Sequence, residues 1–529
     1  MAGATGVGWE QRHPALRDAL LWSIPALLAG AALRLLILSY LPFATVRPDS
    51  DSYLSFAYRF LLDGDLALYA KRRYMYPIAL LPACALPGAP LHWIAWLQHA
   101  AGLLSVLPLA YAVRCLFGLW KVWIVPCTLF WSVFPMAAWY EHEVIADAPF
   151  AILLLFALGG WIRWLRCNRT PGAWWGFFIP FALCVLTKPA GKFLWLAPAV
   201  AFLLLRGWWG FRWPHWVALA VVAFLSAIQG DRYMAARHLC MSAFPYLQLD
   251  TARHAELKAE IRPKVERARA RFDVYYMEDD DPFAFLGKGG RRAEGYPAWQ
   301  ALIRDERRAA RVMRELGREA ILARPDLFVT VAVQRALGAA NPSAFEEKMF
   351  RPEYTLEEMR DSFGYAHRDP AKAARVIPFL FGERPGTAPP DLDRLAHRMV
   401  PRPDAPQAHR LERFARRFHD AAALLRGERI RDREPQPIRN LLPPTLLGWG
   451  VIAGAAAAVA VARFRQTAGV WVATAACYLV GVFAVASSYP RFFYPVWPIL
   501  LLALCAALET GWRVAVRLAG TVRTASRPR

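Results

Sequence analysis

The sequence predicts an all-α polytopic membrane protein, and three observations carry that prediction. Of the 529 residues, 56% are hydrophobic and 22 are tryptophan, and mean hydropathy is positive, unlike ordinary soluble domains. Apolar runs of roughly 20 residues, long enough to cross a hydrocarbon core, recur on both sides of a polar middle. Threaded in order, these runs leave their basic flanks on one side, as cytoplasmic loops require.

About ten such spans are expected, near 19 to 41, 92 to 113, 121 to 139, 145 to 165, 172 to 188, 190 to 206, 213 to 229, 441 to 463, 468 to 487 and 492 to 511. The first is too long for a cleaved signal peptide and reads as an uncleaved anchor. The loop 42–91 follows it. Within that loop, 53 to 69 has helix-like apolar spacing and 76 to 90 is apolar but broken by prolines, which predicts an interfacial helix and a surface-packed segment. Three modules result: an N-terminal transmembrane module over 1–230, a stretch over 231–440, and C-terminal spans with a basic tail over 441–529. The middle stretch is rich in Arg, Asp, Glu and Pro, with helical runs such as 298 to 323, and reads as an inserted, mainly helical extracytoplasmic domain. Within it, 326 to 340 is apolar enough to lie on the membrane.

The net charge of +22 is topology-setting rather than a nucleic-acid footprint, because no zinc-finger spacing or RNA-binding signature accompanies it. With the N-terminus cytoplasmic, the inner loops hold Arg114 and Lys121, then Arg163, Arg166 and Arg169, then Arg206 and Arg212, then Arg463 and Arg465. The tail with Arg513, Arg517, Arg523, Arg527 and Arg529 is also inside, so both termini are expected in the cytoplasm. Long loops cross the membrane whatever their charge, so the middle stretch does not disturb this topology. Eight cysteines without a CxxC pair predict neither a disulfide framework nor a metal site.

This orientation gathers charged residues from four loops on the outer face. Asp49 and Asp51 close the first span, just before Tyr53; a carboxylate there can take the proton of a hydroxyl, and a pair can hold a divalent ion against a phosphate. Asp49 and Ser52 also suit helix capping, and a solvated turn is the ordinary alternative. Glu141, His142 and Glu143 precede Asp147 at the start of the fourth span; Glu143 and Asp147, four apart, are expected to share a helix face. Helix-dipole compensation is the competing explanation for these acids. Lys188, Lys192 and Arg491 are cations on the side where cations are disfavoured, which calls for an anionic partner or for lipid headgroups.

Asp49, Tyr53, Ala57 and Gly64 run in order through the first outer loop. Pro135 in the third span and Asp147 opening the fourth come next, followed by Lys188-Pro189 and by Arg491-Phe492 with Pro495 and Pro498. Taken together they resemble the GT-C superfamily of membrane glycosyltransferases, in particular bacterial relatives of dolichyl-phosphate-mannose protein mannosyltransferases and of lipid A aminoarabinose transferases. The chain departs from that pattern with Asp147 where Glu is usual, Lys188 where Arg is commoner, and Phe492 in place of Tyr; the Trp-rich Asp-Tyr signature of oligosaccharyltransferases is missing.

The resemblance implies a GT-C-like bundle in the bacterial inner membrane. It further implies inverting transfer of a sugar from a polyprenyl-phosphate donor to a hydroxyl of a lipid, glycan or protein acceptor in the cell envelope. Asp49 would be the base, supported by Asp51. Arg491, Lys188 and Lys192 would meet the donor phosphate, and Tyr53, Glu141, Glu143 and Asp147 would orient sugar or acceptor. A divalent metal, Mg or Mn, is left open, with Asp49 and Asp51 as its ligands if one binds. A transporter or flippase of a lipid-linked sugar is the alternative, but transporters favour internal repeats and midplane charges.

Overall fold

The computed structural model describes residues 14–47, 49–66, 73–117, 121–166, 170–195, 213–228, 232–271, 295–339, 350, 370–386, 391–400, 405–423, 446–461, 465–485 and 494–525. Among them every regular element is helical, and the one piece of strand-like pairing is an isolated parallel bridge between Thr45 and Glu143.

Helix α1 (Pro14–Tyr40) has 27 residues, enough at about 1.5 Å per residue to cross a membrane. Near its start Asp18 accepts from Arg114 at 2.8 Å and pairs with Lys121 at 3.0 Å. Arg114 and Lys121, which flank the break between α5 and α6, therefore converge on one carboxylate of α1. The amphipathic helix α2 (Ser50–Asp63) ends at Gly64, whose left-handed backbone (φ 69°) directs its N–H to the carbonyls of Arg59 and Phe60. Helix α3 (Met75–Ala85) packs between α2 and α4 (Pro90–Leu104). With α5 (Val106–Leu116), α4 forms one apolar span broken at Ser105.

Helices α6 (Ile124–Ser132) and α7 (Pro135–His142) belong to a pair bent by 45°. Pro135 lacks the N–H that would continue the helix and holds Phe134 extended. Helix α8 (Asp147–Arg166) lies along α9 (Pro171–Thr187), then a 3-10 stretch (Pro189–Trp195) leads towards α10 (Trp213–Ile228).

The middle stretch divides between two cores. Helices α11 (Arg232–Ala243), α12 (Ala255–Arg271), α13 (Pro297–Arg304) and α14 (Glu306–Ala323) bury Phe244, Ile261, Trp299, Met313 and Leu316 in a core of their own. Asp305 caps α14 by accepting from the N–H groups of Arg307 and Arg308. Helix α15 (Pro325–Ala339) follows. By contrast α16 (Pro370–Leu380), α17 (Leu392–Met399) and α18 (Pro406–Ala423) turn Ala373, Ile377, Leu395, Leu411 and Ala415 into the same core as the apolar helices of the N-terminal module. The chain closes with α19 (Leu446–Ala460), α20 (Val470–Val485) and α21 (Trp497–Ala525), and α15, expected on the membrane, packs against α20.

A helix occupies nine of the ten stretches expected to span. Length and composition qualify Pro14–Tyr40, Pro90–Leu116, Asp147–Arg166 and Tyr494–Leu518, and the bent pair makes a fifth. Four others, Met75–Ala85, Pro171–Thr187, Trp213–Ser226 and Thr467–Ala476, are apolar but shorter. The remaining stretch, 190 to 206, opens in the 3-10 segment and otherwise lies outside the described residues.

Candidate functional site

The backbone explains why the acidic loops meet. After α1 the chain runs beside the segment that links α7 to α8. The Thr45 N–H donates to the His142 carbonyl at 2.8 Å, and the Val144 N–H donates to the Thr45 carbonyl at 3.0 Å. Ser50 accepts from the Arg47 N–H at 2.8 Å and donates to the Val144 carbonyl at 2.7 Å. From α4, the Gln98 amide donates to the carbonyls of Glu141 (2.9 Å) and Glu143 (3.0 Å) and accepts from the Tyr76 hydroxyl at 2.8 Å. Polar backbone at the ends of apolar helices is thereby satisfied, and the Asp49-Ser50-Asp51 turn is fixed to the Glu141–Asp147 segment.

Asp49 is half-buried at the head of α2. The expected side-chain cap is absent, because its backbone is already helical (φ −77°, ψ −23°) rather than extended; instead its carbonyl accepts from the Ser52 hydroxyl at 2.6 Å. Asp51 accepts from Lys372 of α16 at 3.1 and 3.3 Å and from the Tyr58 hydroxyl at 3.2 Å, and Lys372 lies 5.4 Å from the Tyr58 ring centroid. Burial, and then the Asp51 charge, push the Tyr58 phenol up to about 12. Burial pulls the Lys372 ammonium down, but its contacts with Tyr58 and Asp51 outweigh that and raise it. One turn on, Arg375 pairs with Asp63, so α16 clasps α2 through two residues of one face. Sequence reasoning missed Lys372, which in the sequence is one of many cations in a polar stretch.

The other acids sit behind this turn in buried ion pairs, as charges removed from water require. Glu143, 0% exposed, pairs with Arg47. Its backbone is extended (φ −97°, ψ 146°) and α8 begins only at Asp147, so the expected common helix face of Glu143 and Asp147 does not exist; the bridge to Thr45 holds Glu143 extended, and the chain bends through residues 144–146 before α8 starts. Asp147 pairs instead with Lys188, which ends α9, and both are at least nine-tenths buried. Tyr53 packs edge-on against Tyr76 with ring centroids 5.1 Å apart, and the Tyr76 hydroxyl is held by Gln98. Glu141 is closed in further: Arg34 of α1 grips it through two hydrogen bonds of 2.8 and 2.7 Å, and His99 Nδ1 lies 3.1 Å away. A Cβ on Gly102 would fall 2.0 Å from its carboxylate, so glycine makes the room for Glu141.

Lys192 is exposed in the 3-10 stretch, 5.1 Å from the Phe193 ring centroid. Arg491 lies outside the described residues. Three positions on, the Tyr494 ring stacks on Trp131 at 5.9 Å and meets Tyr140 at 5.0 Å, beside the acidic segment. A protein-built metal centre does not fit: among the described residues no three His, Cys, Asp or Glu side chains converge, and both Asp51 oxygens contact Lys372. Chemically, the arrangement is a pair of carboxylates at the head of a helix, backed by buried ion pairs that fix its position.

No protein-family model matches the chain, and no curated protein does. Among solved structures, the archaeal oligosaccharyltransferase AglB from Archaeoglobus fulgidus, in complex with an inhibitory peptide and a dolichol-phosphate, is similar over 99% of this chain and 53% of its own. Identity is 14% and the TM-score 0.39. This chain spans about half the length of that structure.

Proposed function

We propose that the chain is a polytopic membrane glycosyltransferase of the GT-C type. It takes a sugar from a polyprenyl-phosphate donor to a hydroxyl of a lipid, glycan or protein acceptor on the outer face of the bacterial inner membrane, with inversion. The observation that carries this reading is the joining of the Asp49-Ser50-Asp51 turn to the segment bearing Glu143 and Asp147 through Thr45 and Ser50. Residues more than 90 positions apart thereby build one polar site at the ends of apolar helices.

In this reading Asp49 accepts the proton of the acceptor hydroxyl as its oxygen attacks the anomeric carbon. Asp51, held by Lys372 and Tyr58, keeps negative charge beside it. The bond to the carrier phosphate breaks, and Arg491 and Lys192 meet the charge that develops on the departing phosphate. Lys188, committed to Asp147, contributes less to the phosphate than to the position of Asp147. Glu143, Asp147 and Tyr53 shape the sugar side of the site, whereas Glu141, locked to Arg34 and His99, supports the frame.

The test is transfer of labelled sugar from a polyprenyl-phosphate donor by purified protein. Asp49→Asn is expected to slow transfer by about a hundredfold or more, the usual contribution of a general base. Wild-type activity in a folded Asp49→Asn variant overturns the assignment. A flippase would move the lipid-linked sugar without releasing the carrier phosphate, which the same assay detects.

A further inference from the structure

Helix α14 carries its positive charge in a line. Its apolar side chains Ala309, Val312, Met313, Leu316 and Ala320 are buried in the core that α11–α14 share. On the opposite side stand Arg307, Arg311, Arg314 and Arg318, spaced i, i+4, i+7 and i+11, which the helical period puts in a single row. All four are exposed. Their guanidinium groups meet no carboxylate among the described residues; Arg314 Nε donates to the Ala310 carbonyl of its own helix at 3.0 Å.

The acids that could neutralise the row are engaged elsewhere. Glu315 and Glu319 flank it on α14, but Glu315 meets Arg253 and His254 at 3.0 Å each, and Glu319 meets Lys258 at 2.8 Å. Asp305 is committed to capping the helix. Solvated helices commonly intersperse acids and bases at these spacings, because like charges three or four residues apart repel. Here the fold leaves the repulsion standing, and an anion laid along the row relieves it.

The geometry also selects among anions. The row advances in steps of about 6, 4.5 and 6 Å, so it suits a partner with several negative groups in line better than a single small ion. A membrane surface fits less well, since helices that lie on lipid place a broad apolar face beside the basic one. The apolar face of α14 points into the core instead, and Leu322 is its one exposed large apolar side chain.

We propose that the arginine row of α14 binds a linear acidic glycan that carries carboxylates on successive sugar rings. The row stands on the geometry, while the choice of a glycan over another linear polyanion rests on the function proposed above. In that reading the row gathers the acceptor chain.

The test is binding of oligogalacturonate to the purified full-length protein in neutral phosphatidylcholine nanodiscs, compared with an uncharged glucan of equal length. Oligogalacturonate is expected to bind about tenfold or more tightly, the scale that several exposed ion pairs reach together. Arg311→Gln/Arg318→Gln is expected to lose most of that preference. Arg410→Gln/Arg413→Gln, which removes two exposed charges from α18, is expected to keep it. Equal losses in the two double variants reduce the effect to the net charge of +22 and overturn the site, as does a folded Arg311→Gln/Arg318→Gln protein that keeps the full preference. Polyglutamate of equal charge binding as tightly as oligogalacturonate overturns the glycan as partner. Phosphatidylglycerol vesicles that displace oligogalacturonate overturn it in favour of a membrane surface. Should the α14 double variant fail to fold, Arg311→Gln and Arg318→Gln decide singly, because undiminished preference in both overturns the site. Sugar transfer plays no part in this readout, so the row and the proposed function fail separately.

Discussion

At the scale of single residues, the acids behind the Asp49–Asp51 turn are structural before they are anything else. Glu143 is the clearest case: removing its charge leaves Arg47 buried beside a neutral amide. Glu143→Gln is expected to destabilise the protein by about 3–5 kcal/mol, seen as a lower melting temperature in detergent. An unchanged melting temperature would mean that water reaches the pair. The sequence assigns Glu143, Asp147 and Lys188 to one side by its basic-loop pattern, and in the structure Asp147 and Lys188 do meet. The sequence did not show their partners. The helical spacing of Glu143 and Asp147 misled because a long-range contact to Thr45 prevailed over local periodicity. The β-branched pair Val144 and Ile145, weak helix formers, was the local sign against a continuous helix.

At the scale of elements, α16 matters most, because it brings Lys372 and Arg375 of the inserted stretch onto α2. Both pairs are partly exposed, so each adds little to global stability, about 0.2–1 kcal/mol. Their effect is local: they hold α16 over the turn that carries Asp51. The double variant Lys372→Ala/Arg375→Ala is expected to raise hydrogen exchange across α16 by about tenfold while the melting temperature falls by only a few degrees. Exchange confined to wild-type rates would show that the apolar face of α16, through Ala373 and Ile377, suffices to dock it. This docking was not legible in the sequence, because amphipathic spacing shows that a helix has an apolar face and not which surface covers it.

At the scale of the whole molecule, the all-helical membrane architecture was legible because it rests on bulk hydropathy and on run length, which need no tertiary information. The division of the middle stretch was not, since α11–α14 and α16–α18 have similar polar compositions and differ only in the core they join. Orientation is open to direct measurement. The six described cysteines are all buried, so with Cys167 and Cys477 replaced by serine introduced cysteines report on their own positions. Leu66→Cys, in the first outer loop, is expected to react with a membrane-impermeant maleimide in spheroplasts. Val122→Cys, beside Lys121, is expected to react only after lysis. Both native positions are well exposed, at 67% and 51%, and the reverse labelling pattern would invert the topology.

The contact between Thr45 and Glu143 has a consequence for how the protein is made. A ribosome delivers the first loop long before the segment that will hold it, and several apolar helices enter the membrane between the two. Until α7 has emerged, the turn bearing Asp49 and Asp51 has neither its backbone partner nor the buried pairs that support it. The polar centre therefore cannot form until Glu143 of the 529 residues has been made, and a chain halted before Glu143 would hold inserted helices around an unformed site.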